Sequence, residues 1–123
     1  MLNVHTSKIG NVAVVCLQGR IVRGETDNFR TAVLTQMDVS AVILDLARVS
    51  TVDAGGLGVL LELRDKIQAK GIELRLRNVT RLVRRILEIT RLESVFEASS
   101  GAEAPALVLH TRPAAFLELA PCA

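Results

Sequence analysis

The run Ala41-Val42-Ile43-Leu44-Asp45-Leu46 is apolar at every position but one. A strand with one wet face alternates apolar and polar residues, so an unbroken run of this kind needs cover on both faces. That places it in the middle of a partly parallel sheet, where parallel neighbours must be joined by crossover connections. The flanking sequence supplies strands and helices to match. Val12-Ala13-Val14-Val15-Cys16-Leu17 is a β-branched-rich run closed by Gly19, and Leu2-Asn3-Val4-His5 precedes it across the turn-forming pair Gly10-Asn11, which predicts a β-hairpin. Over residues 25–37, Phe29, Val33 and Met37 recur every four positions, the spacing of one helical face.

After an expected loop at residues 47–54, Leu57, Leu60, Leu61, Leu63 and Ile67 mark a second helix that Gly71 stops. Ile72-Glu73-Leu74-Arg75-Leu76-Arg77 alternates strictly, as an edge strand with its charges outward should. Val79, Leu82, Val83, Ile86 and Leu87 then fall at helical spacing behind Thr80, placed to cap the start, and Val95-Phe96 reads as a last short strand. Strands alternating with helices give an α/β domain, a small mixed β-sheet flanked by helices. The composition changes at Ser99-Ser100-Gly101, ahead of Pro105, Pro113 and Pro121, so the domain is expected over residues 1–98 with a C-terminal tail at 99–123. Within that tail, Ala106-Leu107-Val108-Leu109 and Ala115-Phe116-Leu117 could dock back as short elements.

Several function classes have nothing to rest on. Fifteen basic against thirteen acidic residues leave a net charge of +2, too little to imply a polyanion partner. Arg81, Arg84, Arg85 and Arg91 form a basic stripe, but with no Trp or Tyr there is no stacking platform, so nucleic acid is not expected. His5 and His110 have no acidic or thiol partner at ligand or triad spacing, so neither a metal, a cofactor nor an enzyme activity is expected. Asp45 beside Arg48 reads as a paired structural carboxylate. Cys16 and Cys122 show no disulfide or metal spacing, and Cys16 alternates with inward residues as a small buried hydrophobe, which favours a reduced, cytoplasmic setting. The first residues lack a secretory pattern, and no apolar stretch reaches the ~20 residues that cross a bilayer, so membrane insertion is not expected.

The informative stretch joins the central strand to the second helix: Val49-Ser50-Thr51-Val52-Asp53-Ala54-Gly55-Gly56-Leu57-Gly58. Asp53 stands where a side-chain oxygen can accept from the free N–H groups of the first helical turn. Three glycines within four positions each lower helix propensity by roughly 1 kcal/mol relative to Ala, a cost more natural at a contact surface than in a merely structural helix. They leave the helix start bare, open to close approach by another protein or an anion. The lysine and hydroxyl of a nucleotide P-loop are missing.

These residues resemble the STAS domain, the module of bacterial anti-sigma factor antagonists and related regulators. The resemblance spans residues 2–98 and includes Leu17-Gln18-Gly19-Arg20-Ile21, the central stretch, the block from Lys70-Gly71 to Asn78-Val79, and then Val83, Leu87, Thr90, Leu92 and Phe96. It implies a regulatory, non-enzymatic module that binds an anti-sigma factor or a related kinase-fold protein through the start of the second helix. The contact would involve Arg23, Gly24, Ser50, Thr51, Asp53, Ala54, Gly55, Gly56 and Leu57. An arginine at Gly56 is then expected to block binding while leaving the fold almost unchanged.

In switched members of the family a serine follows an Asp and one small residue, and its phosphorylation adds about −1.5 to −2 charges to a close-packed surface and abolishes binding. Here that position is Gly55, and Ala54 before it also lacks a hydroxyl. The acidic residue that such members often carry three places after the glycine of the second strand would fall at Val22. The expectation is a docking surface kept without its switch, with Ser50 and Thr51 as hydrogen-bonding residues of the loop. The resemblance also allows a scaffold role in a stress-sensing complex or an accessory subunit of a lipid-transport ATPase.

Overall fold

A computed structural model describes residues 2–36 and 38–100, with side chains to residue 96. Strands β1 (Asn3–Ile9) and β2 (Val12–Ile21) form the expected hairpin across Gly10-Asn11, and they are followed by α1 (Asp27–Leu34) and β3 (Ala41–Val52). Then come α2 (Ala54–Ala69), β4 (Glu73–Arg77), α3 (Arg81–Ile89) and α4 (Glu93–Ser100). The sheet runs β1-β2-β3-β4, antiparallel at the hairpin and parallel at the other two pairings. The apolar run at 41–46 lies in β3, flanked by a parallel strand on each side. The expected tail segments at 106–109 and 115–117 lie outside the described residues.

One core joins the four helices to a single face of the sheet. Phe29 and Val33 of α1, Leu60, Leu63 and Ile67 of α2, Val83 and Leu87 of α3 and Phe96 of α4 pack on Ala13, Val15 and Leu17 of β2 and Val42, Leu44 and Leu46 of β3. Several helix ends have an identifiable cause. Thr80 Oγ1 accepts from Val83 N at 3.2 Å and starts α3. At the end of α2, Gly71 takes φ +78°, letting its N–H reach the Gln68 carbonyl at 2.9 Å while Ile72 N–H reaches that of Ile67 at 3.1 Å. Arg91 closes α3 in the same way at φ 61°, with Leu92 N–H on the Leu87 carbonyl at 2.8 Å.

Four expectations need correction. Val95 and Phe96 lie in α4, not in a strand, and Phe96 is buried because a helix here turns it onto the core. The first helix is shorter than residues 25–37, ending at Leu34. Residues 47–52 are strand, not loop. The register moves from Cys16↔Asp45 to Gln18↔Arg48 and from Gly19↔Val49 to Arg20↔Thr51, so β3 carries extra residues against β2. These bulges absorb the polar positions that break the apolar run. Finally, Cys16 is buried as expected but disulfide-bonded, which corrects the reduced thiol.

Asp45 is structural, as expected, and its buried pair is Arg77 of the edge strand. Arg77 Nε donates to Asp45 Oδ2 at 2.5 Å, and the two side chains are 8% and 4% exposed. Arg77 therefore breaks the outward pattern of its strand. Asn78 Nδ2 donates to the same oxygen at 2.9 Å, and Ala47 N–H donates to Oδ1 at 2.9 Å, so one carboxylate fixes both the bulge in β3 and the end of β4. Arg77→Met strands a buried carboxylate that keeps two other donors, and it should cost about 3 kcal/mol. Urea unfolding measures this, and a loss under about 1 kcal/mol, typical of a surface substitution, would contradict the assignment.

Candidate functional site

The C-terminal ends of β2 and β3 lie side by side, Ile21 opposite Val52, and the chain leaves each in a different direction. From β2 it turns through Arg23-Gly24 toward α1; from β3 it passes the single residue Asp53 into α2. The two departures are stitched together. Asp53 N–H donates to the Ile21 carbonyl at 3.3 Å, and Arg23 N–H donates to both oxygens of the Asp53 carboxylate at 3.2 Å. Asp53 Oδ1 also accepts from Gly56 N–H at 2.7 Å, the expected N-cap.

The backbone N–H groups of Gly56 and then Arg23 hold the Asp53 carboxyl below its ordinary pKa, because they bond the ionised form. Asp53 is thus an exposed carboxylate with its oxygens directed at main-chain donors.

The glycines divide by what surrounds them. A Cβ on Gly56 would lie 1.9 Å from the Ile21 carbonyl oxygen and 2.7 Å from its carbon, so the helix touches the end of β2 main chain to main chain. The expectation that arginine at Gly56 spares the fold is therefore wrong: Gly56 is buried and holds the turn together. A Cβ on Gly55 would lie 2.8 Å from Arg23 Cβ and 3.3 Å from its Cα, so a side chain there would have to displace the Arg23 turn. Gly58 is exposed with nothing within 4 Å of such an atom.

Of the sequence-derived contact residues, Arg23, Gly24, Ser50, Asp53 and Ala54 are exposed around this end of the sheet, and Thr51 and Gly55 are half-buried. Gly56 and Leu57 are buried and offer no side chain to a partner. Ser50 lies in β3, where its hydroxyl donates to the Gly19 carbonyl at 3.2 Å. Val22 accepts from Glu25 N–H at 3.0 Å through its carbonyl and so shapes the Arg23-Gly24 turn. Sequence reasoning missed Ile21, whose carbonyl meets both Asp53 and Gly56; the pairing across β2 and β3 that brings it there leaves no local signal. No group of three or more potential metal ligands occurs among the described residues, and no described helix is long and apolar enough to cross a membrane.

The STAS domain family model matches residues 3–104. Among known proteins, BtrV of Bordetella bronchiseptica, named as an anti-sigma factor antagonist, is 28% identical over 112 residues, which span 89% of this chain and 97% of that one. A STAS-domain containing protein of Pseudomonas aeruginosa is 31% identical over 91 residues, 73% of this chain and 90% of its own. The structure of an anti-sigma factor antagonist from Mycobacterium paratuberculosis has a TM-score of 0.65 at 21% identity, with 78% of this chain and 83% of that chain covered. Unphosphorylated SpoIIAA of Bacillus has a TM-score of 0.58 at 20% identity, covering 70% and 82%. These structures share the mixed sheet flanked by helices.

Two measurements check this geometry. Gly58→Ala should add about 0.5–1 kcal/mol to stability by restoring helix propensity, whereas Gly56→Ala should lose about 1–3 kcal/mol or more by driving a methyl into a carbonyl. The opposite order in urea unfolding would contradict the close approach at Ile21. The lowered pKa of Asp53 means that its ionised form stabilises the fold above the unfolded carboxyl value, about 3.9, and that this contribution disappears as pH falls through the folded value. The stability difference between the wild type and Asp53→Asn should be largest near neutral pH and fade at acid pH; a difference that does not change with pH would contradict the bonding.

Proposed function

The chain belongs to the STAS domain family, and on that premise we propose that it is a regulatory binding module, not an enzyme, which docks on an anti-sigma factor or a related kinase-fold protein through the start of α2. The likeness to BtrV, an anti-sigma factor antagonist by name, supports the partner class. The contact surface is the exposed rim around Asp53: Arg23 and Gly24 from the end of β2, Ser50 from β3, and Ala54 and Gly58 on one side of α2. Thr51 and Gly55 complete it, with Gly56 and Leu57 as its buried support.

The observation that carries this reading is the stitched turn. Asp53 bonds Arg23 N–H and Gly56 N–H at once, so two loops that could move independently present one fixed surface. Pre-ordering of that kind reduces the entropy lost on association. The module binds without a phosphorylation switch at Gly55. There is no hydroxyl at that position, and the space that a side chain would need is taken by Arg23.

Gly58→Arg tests the surface without touching the fold, because the site is open and exposed. Titrated against the anti-sigma factor encoded nearest the gene, the variant should lose at least about tenfold in affinity, 1.4 kcal/mol, while its melting temperature stays equal or rises. Undiminished binding would remove this surface. Incubation with the same kinase and ATP should leave residues 50–58 without phosphate, and stoichiometric modification of Ser50 or Thr51 would overturn the unswitched reading.

A further inference from the structure

Two large apolar side chains are exposed among the described residues, and both stand on α3: Leu82 at 49% and Ile89 at 69%. Two helical turns separate them, so they share one flank of the helix about 10 Å apart. Ile86 lies between them, half-buried, and joins this flank to the core that Val83 and Leu87 enter. Arg81 and Arg85 border the flank, Arg84 lies further round the helix, and Arg91 follows its end. All four arginines are exposed, and none has an ion pair among the described residues. Residues 81–91 set these four against Glu88 alone, a net +3, while the whole chain carries +2, so everything outside the segment sums to −1. The small overall charge conceals one concentrated basic surface with apolar side chains set into it.

We propose that α3 is a peripheral membrane contact, lying on an anionic lipid surface with its arginines on the headgroup phosphates and Leu82 and Ile89 in the acyl boundary. A lipid surface offers phosphate and hydrocarbon together, which matches both halves of the pattern; nucleic acid offers the phosphate alone. A stable protein interface takes about 800 Å² from each partner, and a nine-residue helix about 14 Å long and roughly 10 Å wide presents a far smaller face. A fluid surface sets no such threshold. Each arginine held near anionic lipid strengthens binding about fivefold, and each inserted apolar side chain adds to that.

A second copy of the chain fits this face worse. Arg85 lies midway between Leu82 and Ile89, so a two-fold pairing of α3 through those residues sets Arg85 against its own symmetry mate. The surface shares no residue with the rim around Asp53 and does not depend on the docking reading above.

The test is co-sedimentation of the full chain with vesicles of equal parts phosphatidylglycerol and phosphatidylcholine. The protein should sediment with them at ~50 mM salt, and remain in solution with phosphatidylcholine alone or at ~500 mM salt. Arg81→Gln combined with Arg85→Gln should weaken the partition at least about tenfold, and Leu82→Ser combined with Ile89→Ser several-fold. The far-ultraviolet circular dichroism of both variants should stay unchanged, because all four positions are exposed. Failure of the wild type to sediment with the anionic vesicles would overturn the proposal, and so would sedimentation unchanged in either variant. Binding to soluble polyglutamate without binding to vesicles would overturn it in favour of an acidic protein partner, and a dimer lost in Leu82→Ser/Ile89→Ser in favour of a second copy.

Discussion

A single carboxylate ties together the end of the sheet from which the proposed docking surface projects. Asp53 is the only residue between β3 and α2, and it reaches across to the N–H of Arg23 while capping α2 at Gly56. Without that bond the chain leaving β2 and the chain leaving β3 would each be anchored at one end only. With it, Arg23, Gly24, Ala54 and Gly58 belong to one surface. The contact works because Gly56 has no side chain: the helix comes close enough to the Ile21 carbonyl for one carboxylate to accept from the N–H groups of both loops.

The same end of the sheet depends on a second carboxylate deeper in the structure. Asp45 sits where β3 begins to bulge, and it bonds the bulge at Ala47, the edge strand at Arg77 and the turn at Asn78. The bulges carry β3 forward to Val52, so that Asp53 arrives level with Ile21. A polar residue inside the apolar run thus has a mechanical role: it fixes where the long central strand ends and therefore where α2 starts.

Much of this was legible in the sequence, because its signals are local. The two-sided apolar run gave the parallel strand, Gly10-Asn11 the hairpin, Gly71 the end of α2, and Thr80 and Asp53 the starts of two helices. What escaped had no local signal. The strand through 47–52 reads as loop because bulges place polar residues where alternation would not. Arg91 ends α3 in a conformation that glycine usually announces, and Phe96 could be taken for a strand residue because a short apolar pair has no period. At the site, three glycines looked alike in sequence and proved to have three environments: Gly56 against a backbone carbonyl, Gly55 against Arg23, and Gly58 in the open. Only their neighbours across the fold distinguish them.

The central claim is that partner contact centres on the stitched turn, and backbone amide shifts of the labelled full-length protein, recorded as the anti-sigma factor encoded nearest its gene is added, report on it residue by residue. The account predicts that the largest changes fall on Arg23, Gly24, Asp53, Ala54 and Gly58, and that β1 and the outer side of α3 stay unperturbed. Changes concentrated on α3 around Leu82, Arg85 and Ile89, with Arg23 and Ala54 unmoved, would contradict it.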